Sequence, residues 1–176
     1  MKQEAETYED DHGRHREKIG VLVKIAERFQ EAGVTWALGA SMLLCFKHIS
    51  AEYHDIDLMV AESDADRVRE VLRKMGTIQP PNPSPRYRTK VFLDFVIDSV
   101  DVDVMAGFSI MRAGMPYDCP LKKEQIVEWM LLEGEKIPLQ PPFLWSRYYR
   151  LMGREEKAAI IEKAMADGKP VASRQK

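Results

Sequence analysis

The chain has 176 residues, of which 45% are hydrophobic and 31% are charged, and its formal net charge at pH 7 is −2. This length and composition fit one globular domain with a buried core, and the small net charge excludes a general attraction to nucleic acids or membrane surfaces. No apolar run approaches the roughly 18 residues of a membrane span, the acidic N-terminus is unlike a signal peptide, and Cys45 and Cys119 suit free thiols, so we expect a cytoplasmic protein.

The N-terminal half alternates predicted helices and strands. Apolar residues three and four positions apart indicate the helices, and short apolar runs between turn residues indicate the strands. The predicted order is a flexible segment over residues 1–13, a helix over 15–32, a strand over 34–38, a helix over 41–47, a strand over 56–60 and a helix over 63–76.

The C-terminal half is richer in strands. A proline-dense loop over residues 80–85 precedes it, because proline interrupts helices and central strands. The predicted order is then a hairpin of strands over 90–97 and 100–105, a second hairpin of strands over 127–132 and 136–139, helices over 143–152 and 154–166, and a flexible tail over 168–176.

This order predicts an α/β (α+β) fold, in which a small mixed β-sheet is flanked by helices. We expect a single domain over residues 14–167, with a core over about 34–110 and a C-terminal extension over about 111–167. Neither GxGxxG nor GxxxxGK[ST] occurs, so the residues of the common dinucleotide and P-loop sites are missing.

Two aspartates share one face of the strand predicted near residues 56–60. Side chains alternate along a strand, so Asp55 and Asp57 point to the same side, away from Ile56. Paired carboxylates are poor core residues, but they are the hard oxygen ligands that Mg²⁺ prefers. The alternative interpretation of the pair is an acidic strand face in solvent.

A second strand repeats this arrangement at Asp101 and Asp103, which alternate with valines. If the two strands are neighbours, an aspartate from each approaches the same point, and three carboxylates can hold two Mg²⁺ ions. Spacing alone does not choose between Asp101 and Asp103, since both share one face. We select Asp103, because it lies deeper in the strand and Asp101 lies nearer the turn.

The small residues Gly39, Ala40 and Ser41 precede the predicted helix over 41–47. Such a turn lets backbone N–H groups approach a phosphate at the start of a helix. Capping of that helix is the alternative role of Ser41.

These residues carry a family resemblance. The run Gly39-Ala40-Ser41, thirteen further residues and then Asp55-Ile56-Asp57-Leu58 resembles the signature of the nucleotidyltransferase superfamily, which has the DNA polymerase β-like fold. The strand around Asp103 resembles the third acidic strand of that family. Over about residues 34–166 the chain is most similar to minimal nucleotidyltransferases, a group with aminoglycoside- and lincosamide-adenylyltransferase-like members and toxin–antitoxin members.

The resemblance implies an enzyme that transfers a nucleoside monophosphate from an NTP, ATP in the first instance, to a hydroxyl group. Asp55 and Asp57 would bind two Mg²⁺ ions, with Mn²⁺ as the alternative, and Asp103 would bind one ion and activate the acceptor hydroxyl. The acceptor would be a small molecule, a protein or an RNA end, recognised by the loops over 79–89 and 109–123.

The family implies that Gly39, Ala40 and Ser41 hold the β and γ phosphates. Ala40 stands where the family usually has a second glycine, and alanine tolerates such a turn unless its φ angle is positive. The alternative function is therefore a weakly active or inactive binding protein with this fold, such as one component of a toxin–antitoxin system.

Basic residues are further candidates for phosphate or acceptor contacts. Arg88 and Lys90 lie two positions apart before the third acidic strand, and Arg150 and Arg154 lie on the C-terminal helices, on one helical face with Arg147 and Lys157. A solvated edge or helix face is the alternative interpretation of both groups.

Overall fold

The structure, a computed structural model, describes the backbone of residues 2–168 and the side chains from Gly13 onward. The predicted flexible tail covers residues 168–176, and residues 169–176 lie outside the part of the chain that the structure describes. Within the described range, no helix combines the length and hydropathy needed to cross a membrane. Cys45 and Cys119 are free thiols.

Five α-helices and nine β-strands make up the described part of the chain. The helices are α1 (Lys2–Glu31), α2 (Ala40–Phe46), α3 (Ala65–Arg73), α4 (Pro142–Leu151) and α5 (Glu155–Ala166). The strands are β1 (Trp36–Leu38), β2 (Ile56–Val60), β3 (Thr77–Ile78), β4 (Val91–Ile97), β5 (Val100–Ala106), β6 (Ser109–Arg112), β7 (Met115–Asp118), β8 (Glu128–Leu132) and β9 (Glu135–Leu139).

Seven of the strands form one mixed sheet in the order β3-β4-β5-β2-β1-β9-β8, and β6 pairs with β7 in a separate hairpin. β2 runs parallel to β5 and β1 runs parallel to β9, whereas the other pairs of the sheet are antiparallel. The predicted fold, a mixed sheet flanked by helices, is confirmed. The two acidic strands are neighbours at the centre of the sheet.

One face of this sheet packs on α1 and α3. Leu22, Ile25 and Phe29 of α1 are fully buried, as are Leu58 and Val104 on that face of the sheet. Burying each such side chain contributes roughly 1.5–3 kcal/mol, so this layer holds the sheet firmly. Because side chains alternate along strands, the aspartates of β2 and β5 point to the opposite face.

Two tight turns explain the hairpins. Asp98 and Ser99 both have positive φ between β4 and β5, and so do Glu133 and Gly134 between β8 and β9. Two-residue turns with positive φ match the right-handed twist of paired strands. Both hairpins predicted from the sequence are present in the structure.

The structure adds the short strand β3, which was not predicted, and ends the helix predicted over 63–76 at Arg73. Two differences are larger. α1 begins at Lys2 rather than at residue 15, because lysine, glutamine, glutamate and alanine favour helix in the first residues. The flexibility of residues 1–13 stays a prediction, although the backbone of residues 2–13 is helical. Residues 109–118, predicted as part of a loop, form the β6–β7 hairpin, whose second strand is exposed throughout and contains Pro116.

Candidate active site

Three carboxyl groups converge where β2 and β5 run side by side. In the parallel pairing of these strands Asp57 lies opposite Asp103, and Asp55 directly precedes β2. One oxygen from each of the three groups lies within 4.8 Å of the other two. All three side chains are half-buried, open to solvent on the face that α1 does not cover. A cluster of this size and donor type can coordinate divalent cations.

Burial and like charges raise the pKa values of two members of this cluster, Asp57 and Asp103. Burial raises the pKa of Asp57 well above its usual range, and the charges of Asp55 and Asp103 raise it further. Burial also raises the pKa of Asp103 to about 7, with the charge of Asp55 as the next cause. A bound cation would favour the ionised carboxylates and so remove this cost.

Two further aspartates extend the acidic face. Asp94 of β4 lies opposite Asp103 in the antiparallel β4–β5 pairing, and Asp101 lies two residues before Asp103. Burial raises the pKa of Asp94, and the charge of Asp101 adds to this effect. Asp101 is exposed and lies outside the group of three, so Asp103 is the residue of β5 that joins the pair on β2. Its function as a ligand stays a prediction.

Basic side chains from the C-terminal helices face the carboxylates. The positive charges of Arg154 and Lys157 lower the pKa of Asp57. Both cations lie over the ring of Tyr149, at 5.9 Å and 5.5 Å from its centroid. After burial, the charge of Asp57 is the next cause that raises the pKa of Tyr149. The end of α4 and the start of α5 therefore form a basic and aromatic wall beside the acidic cluster.

The wall includes one predicted candidate and omits another. Arg154 lies near the cluster, and Lys157 joins it although it was not selected. The phosphate or acceptor contact of Arg154 stays a prediction. Arg150 is directed elsewhere, since its guanidinium forms ion pairs with Glu155 at 2.5 Å and Glu162 at 2.6 Å. These two exposed pairs neutralise its charge, which argues against the proposed phosphate contact of Arg150.

The other two basic candidates, Arg88 and Lys90, lie just before β4. The ammonium group of Lys90 pairs with Glu62 at 2.6 Å. The aliphatic part of the Lys90 side chain packs on Gly107, where an added Cβ would lie 2.9 Å from the Lys90 Cγ and Cδ atoms. The Arg88 side chain is exposed, and its backbone N–H donates a hydrogen bond to the carbonyl oxygen of Ser109. Their contacts with phosphate or acceptor stay predictions.

The turn between β1 and α2 is held tightly against the cluster. The Gly39 N–H donates a 2.9 Å hydrogen bond to the carbonyl oxygen of Asp57. A Cβ at Gly39 would lie 2.5 Å from a ring carbon of Trp145, so glycine is required here by close packing. Its φ of −126° is open to any residue. Because Gly39 donates to Asp57, the free donors of the turn begin at Ala40.

Ala40 has a positive φ of 46°, a conformation that favours glycine. Ala40 is the position where the sequence departs from the family pattern, and a positive φ is the one condition under which alanine is poorly tolerated there. The strain costs about 1–2 kcal/mol. The N–H groups of Ala40, Ser41 and Met42 open α2, and the first N–H groups of a helix have no acceptor within that helix. Ser41 is half-buried beside them.

Solved structures share this architecture. A suggested nucleotidyltransferase (TM1012) from Thermotoga maritima aligns with 84% of this chain and 91% of its own, at 23% sequence identity and a TM-score of 0.64. ANT(2'')-Ia in complex with adenylyl-2''-tobramycin aligns with 85% of this chain and 89% of its own, at 10% identity and a TM-score of 0.57. Lincomycin-bound LnuA, a lincosamide antibiotic adenylyltransferase, aligns with 78% and 94%, at 12% identity and a TM-score of 0.50. Identities this low establish the fold alone.

Sequence comparison is more specific. No curated protein matches the chain, but the family model described as aminoglycoside-2''-adenylyltransferase matches residues 21–141, which is more than half of the chain. The matched range contains the turn at Gly39 and all three clustered aspartates. The resemblance to nucleotidyltransferases is confirmed, and the comparisons give no support to a toxin–antitoxin pair. The chain belongs to the aminoglycoside-2''-adenylyltransferase family.

Proposed function

We propose that this protein transfers a nucleoside monophosphate from an NTP, ATP in the first instance, to a hydroxyl group of a small molecule. The observation that carries the proposal is the parallel pairing of Asp57 with Asp103, which brings these side chains and Asp55 within 4.8 Å of one another. Membership of the family supports nucleotide transfer in general, and the acidic cluster supplies a place for it.

Asp55, Asp57 and Asp103 would hold two Mg²⁺ ions, or Mn²⁺ ions in their place. The residues fit this group, because all the donors are hard carboxylate oxygens and because burial and mutual repulsion make the cluster costly without a cation. When bound, such ions neutralise the triphosphate and stabilise the leaving pyrophosphate.

Two parts of the chain would bind the phosphates. The N–H groups of Ala40 and Ser41 open α2 directly after the residue that bonds to Asp57. Arg154 and Lys157 are close enough to lower the pKa of Asp57. The triphosphate would then lie near a helix start and two cations, beside the acidic cluster.

Asp103 would accept the proton of the acceptor hydroxyl. The hydroxyl oxygen forms a bond to the α-phosphorus as the bond from that phosphorus to the bridging oxygen breaks, and pyrophosphate leaves with the bonding electrons. Without a cation, burial and neighbouring charges raise the pKa of Asp103 to about 7, and a bound cation would favour its ionised form, which is the form that accepts a proton. Its position in β5, fixed by hydrogen bonds on both sides, orients the carboxylate.

Asp94 and Asp101 favour a positively charged acceptor. Both lie on the face of Asp103 but outside the group of three, so their charges stay available when cations occupy the cluster. An amine-bearing acceptor would offset these charges. The structures with adenylyl-2''-tobramycin and lincomycin name two hydroxyl-bearing compounds with which to begin.

The test is pyrophosphate release from each NTP with Mg²⁺ and a panel of acceptors that includes tobramycin and lincomycin. Asp57→Asn is expected to lower turnover by at least about 100-fold, because even the loss of a residue that only orients a metal ligand costs about 10–100-fold. Asp98→Asn is the matched control, since Asp98 is exposed in a turn and pairs with Lys24. Equal turnover in wild type and Asp57→Asn would refute the proposal, and Mg²⁺-dependent NTP binding without turnover would favour a binding protein.

A further inference from the structure

Exposed apolar side chains surround the free edge of the main sheet. β8 is the last strand of that sheet, and its Trp129 and Leu131 are 48% and 69% exposed. Val127, just before β8, is 70% exposed and lines a groove with Phe143 of α4 and Met165 of α5. We call these five residues the edge patch.

Within residues 2–168, backbone groups of β8 at this edge have no partner. The N–H of Gln140, just after β9, donates a 3.1 Å hydrogen bond to β1. Along a strand, the backbone N–H and C=O groups of successive residues point to alternate sides. Those of Ile137, three residues before Gln140, therefore point to β8, where Ile137 pairs with Met130. The N–H and C=O groups of Trp129 and Leu131 therefore point away from β9, toward the open edge.

We propose that two copies of this chain join at these edges in an antiparallel arrangement and form a homodimer about a twofold axis. Of the registers that pair outward backbone groups, we select the one in which Trp129 lies opposite Leu131 of the second copy, and Leu131 lies opposite its Trp129. Met130 faces its own counterpart at the axis. The two seven-stranded sheets then become continuous across the dimer, and the inference is independent of the proposed catalytic function.

The strand is complementary to itself in this register. The exposed Trp129 of each copy packs against the exposed Leu131 of the other, and Glu128 lies opposite Leu132 rather than opposite another acidic residue. The charge of Glu128 is already matched within its own chain, because it pairs with the buried Lys47. Natural edge strands avoid association by charged residues or proline, and neither occurs from Trp129 to Leu132. Twofold symmetric pairing is also the commonest form of assembly.

The area is sufficient for a stable dimer. From their exposed fractions, the five side chains of the edge patch present on the order of 500 Å² per copy. A stable interface buries about 800 Å² per partner, and the strand backbone with the residues beside it supplies the remainder. Among the described residues of a single copy, this patch is exposed to water at the edge of the sheet.

Sedimentation of the full chain measures the assembly. Wild type is expected to sediment at twice the chain mass of 20.2 kDa, and Trp129→Glu is expected to raise the dimer Kd by at least about 30-fold, as for a central interface residue. Ile160→Glu is the matched control, because Ile160 is a 53% exposed apolar residue of α5 outside the edge patch. A wild-type monomer at all concentrations, or an equal effect of Ile160→Glu, would overturn the proposal.

Complementary variants test the register. Trp129→Glu and Leu131→Lys should each be monomeric alone, yet form a heterodimer when mixed, because the introduced carboxylate then faces the introduced ammonium group. Met130→Cys should form an intermolecular disulfide under mild oxidation, since non-hydrogen-bonded antiparallel pairs place their Cα atoms about 4.5 Å apart. Leu132→Cys, which lies opposite Glu128, should not. No heterodimer on mixing, or equally fast cross-linking of Leu132→Cys, would overturn this arrangement.

Discussion

Magnesium ions are expected to bind about tenfold more weakly at pH 6 than at pH 8, because protons compete for Asp103. Burial and neighbouring carboxylates raise its pKa to about 7. Mg²⁺ needs the ionised carboxylate, so protonation multiplies its apparent Kd by a factor equal to one plus the ratio of protonated to ionised Asp103. For a pKa of about 7, this factor is about 11 at pH 6 and about 1.1 at pH 8. The raised pKa of Asp57 moves the effect in the same direction.

The same titration affects the stability of the metal-free protein. An aspartate in the unfolded chain has a pKa of 3.8, whereas the pKa of Asp103 in the folded state is about 7. Between about pH 4 and pH 7 the folded state holds a proton that the unfolded state has lost, so the free energy of unfolding falls as pH rises. Three pH units correspond to at most about 4 kcal/mol. Above pH 7 the loss is complete, and there a cation should stabilise the fold most.

Thermal unfolding at pH 5, 6, 7 and 8, in EDTA and with increasing Mg²⁺, measures both effects. Asp103→Asn is expected to flatten the pH dependence of the metal-free Tm and to reduce the Mg²⁺-induced shift. Asp98→Asn should retain both, because that carboxylate lies outside the cluster. Equal Mg²⁺ affinities at pH 6 and pH 8, or a wild-type pH profile in Asp103→Asn, would refute this account of the cluster.

Four further substitutions test the turn and the basic wall. Ala40→Gly should raise the free energy of unfolding, measured by chemical denaturation, by up to about 1 kcal/mol. The relief of strain at the positive φ exceeds the roughly 0.8 kcal/mol lost with the buried methyl group, and a loss of stability would contradict this strain. Gly39→Ala should lower that free energy by about 1–3 kcal/mol, since its Cβ meets the Trp145 ring, and an unchanged Tm would contradict this packing. Lys157→Ala should raise the KM for NTP about tenfold. Arg150→Ala should leave this KM within about twofold, because the charge of Arg150 is already paired, and equal effects of the two variants would contradict the assignment of Lys157 to the phosphate site.

Local patterns in the sequence determine much of the fold. The turns at Asp98-Ser99 and Glu133-Gly134 stand between apolar runs, and both hairpins formed where they were predicted. The β6–β7 hairpin was missed because β7 has no buried face and contains Pro116, so it lacks the alternation that marks a strand. The pairing of β1 with β9 joins residues far apart in the chain, and no local pattern encodes it.

The acidic cluster was partly accessible to the same reasoning. Asp55 and Asp57 follow from strand alternation, and Asp103 followed once its strand was assumed to be a neighbour. Asp94 was missed although its signal was present: the two-residue turn at Asp98-Ser99 fixes a register in which Asp94 lies opposite Asp103.

The basic wall was less accessible to that reasoning. Lys157 and Tyr149 reach the cluster only because α4 and α5 pack beside the sheet. The sequence showed the spacing of the basic residues but not that docking, and it therefore did not separate Arg154 from Arg150, whose side chain turns to Glu155 and Glu162.

The proposed site concentrates two opposite electrostatic costs in one place. The carboxylates on β2 and β5 repel one another, while the cations of Arg154 and Lys157 and the positive end of α2 lie close by. A cation alone relieves the first cost but adds positive charge near the basic wall, and a triphosphate alone relieves the second but meets the carboxylates. Each ligand therefore improves the site for the other, and by linkage Mg²⁺ and NTP should raise one another's affinity by the same factor. This coupling depends on the charges that face the site, so Lys157→Ala should weaken it and Arg150→Ala should not.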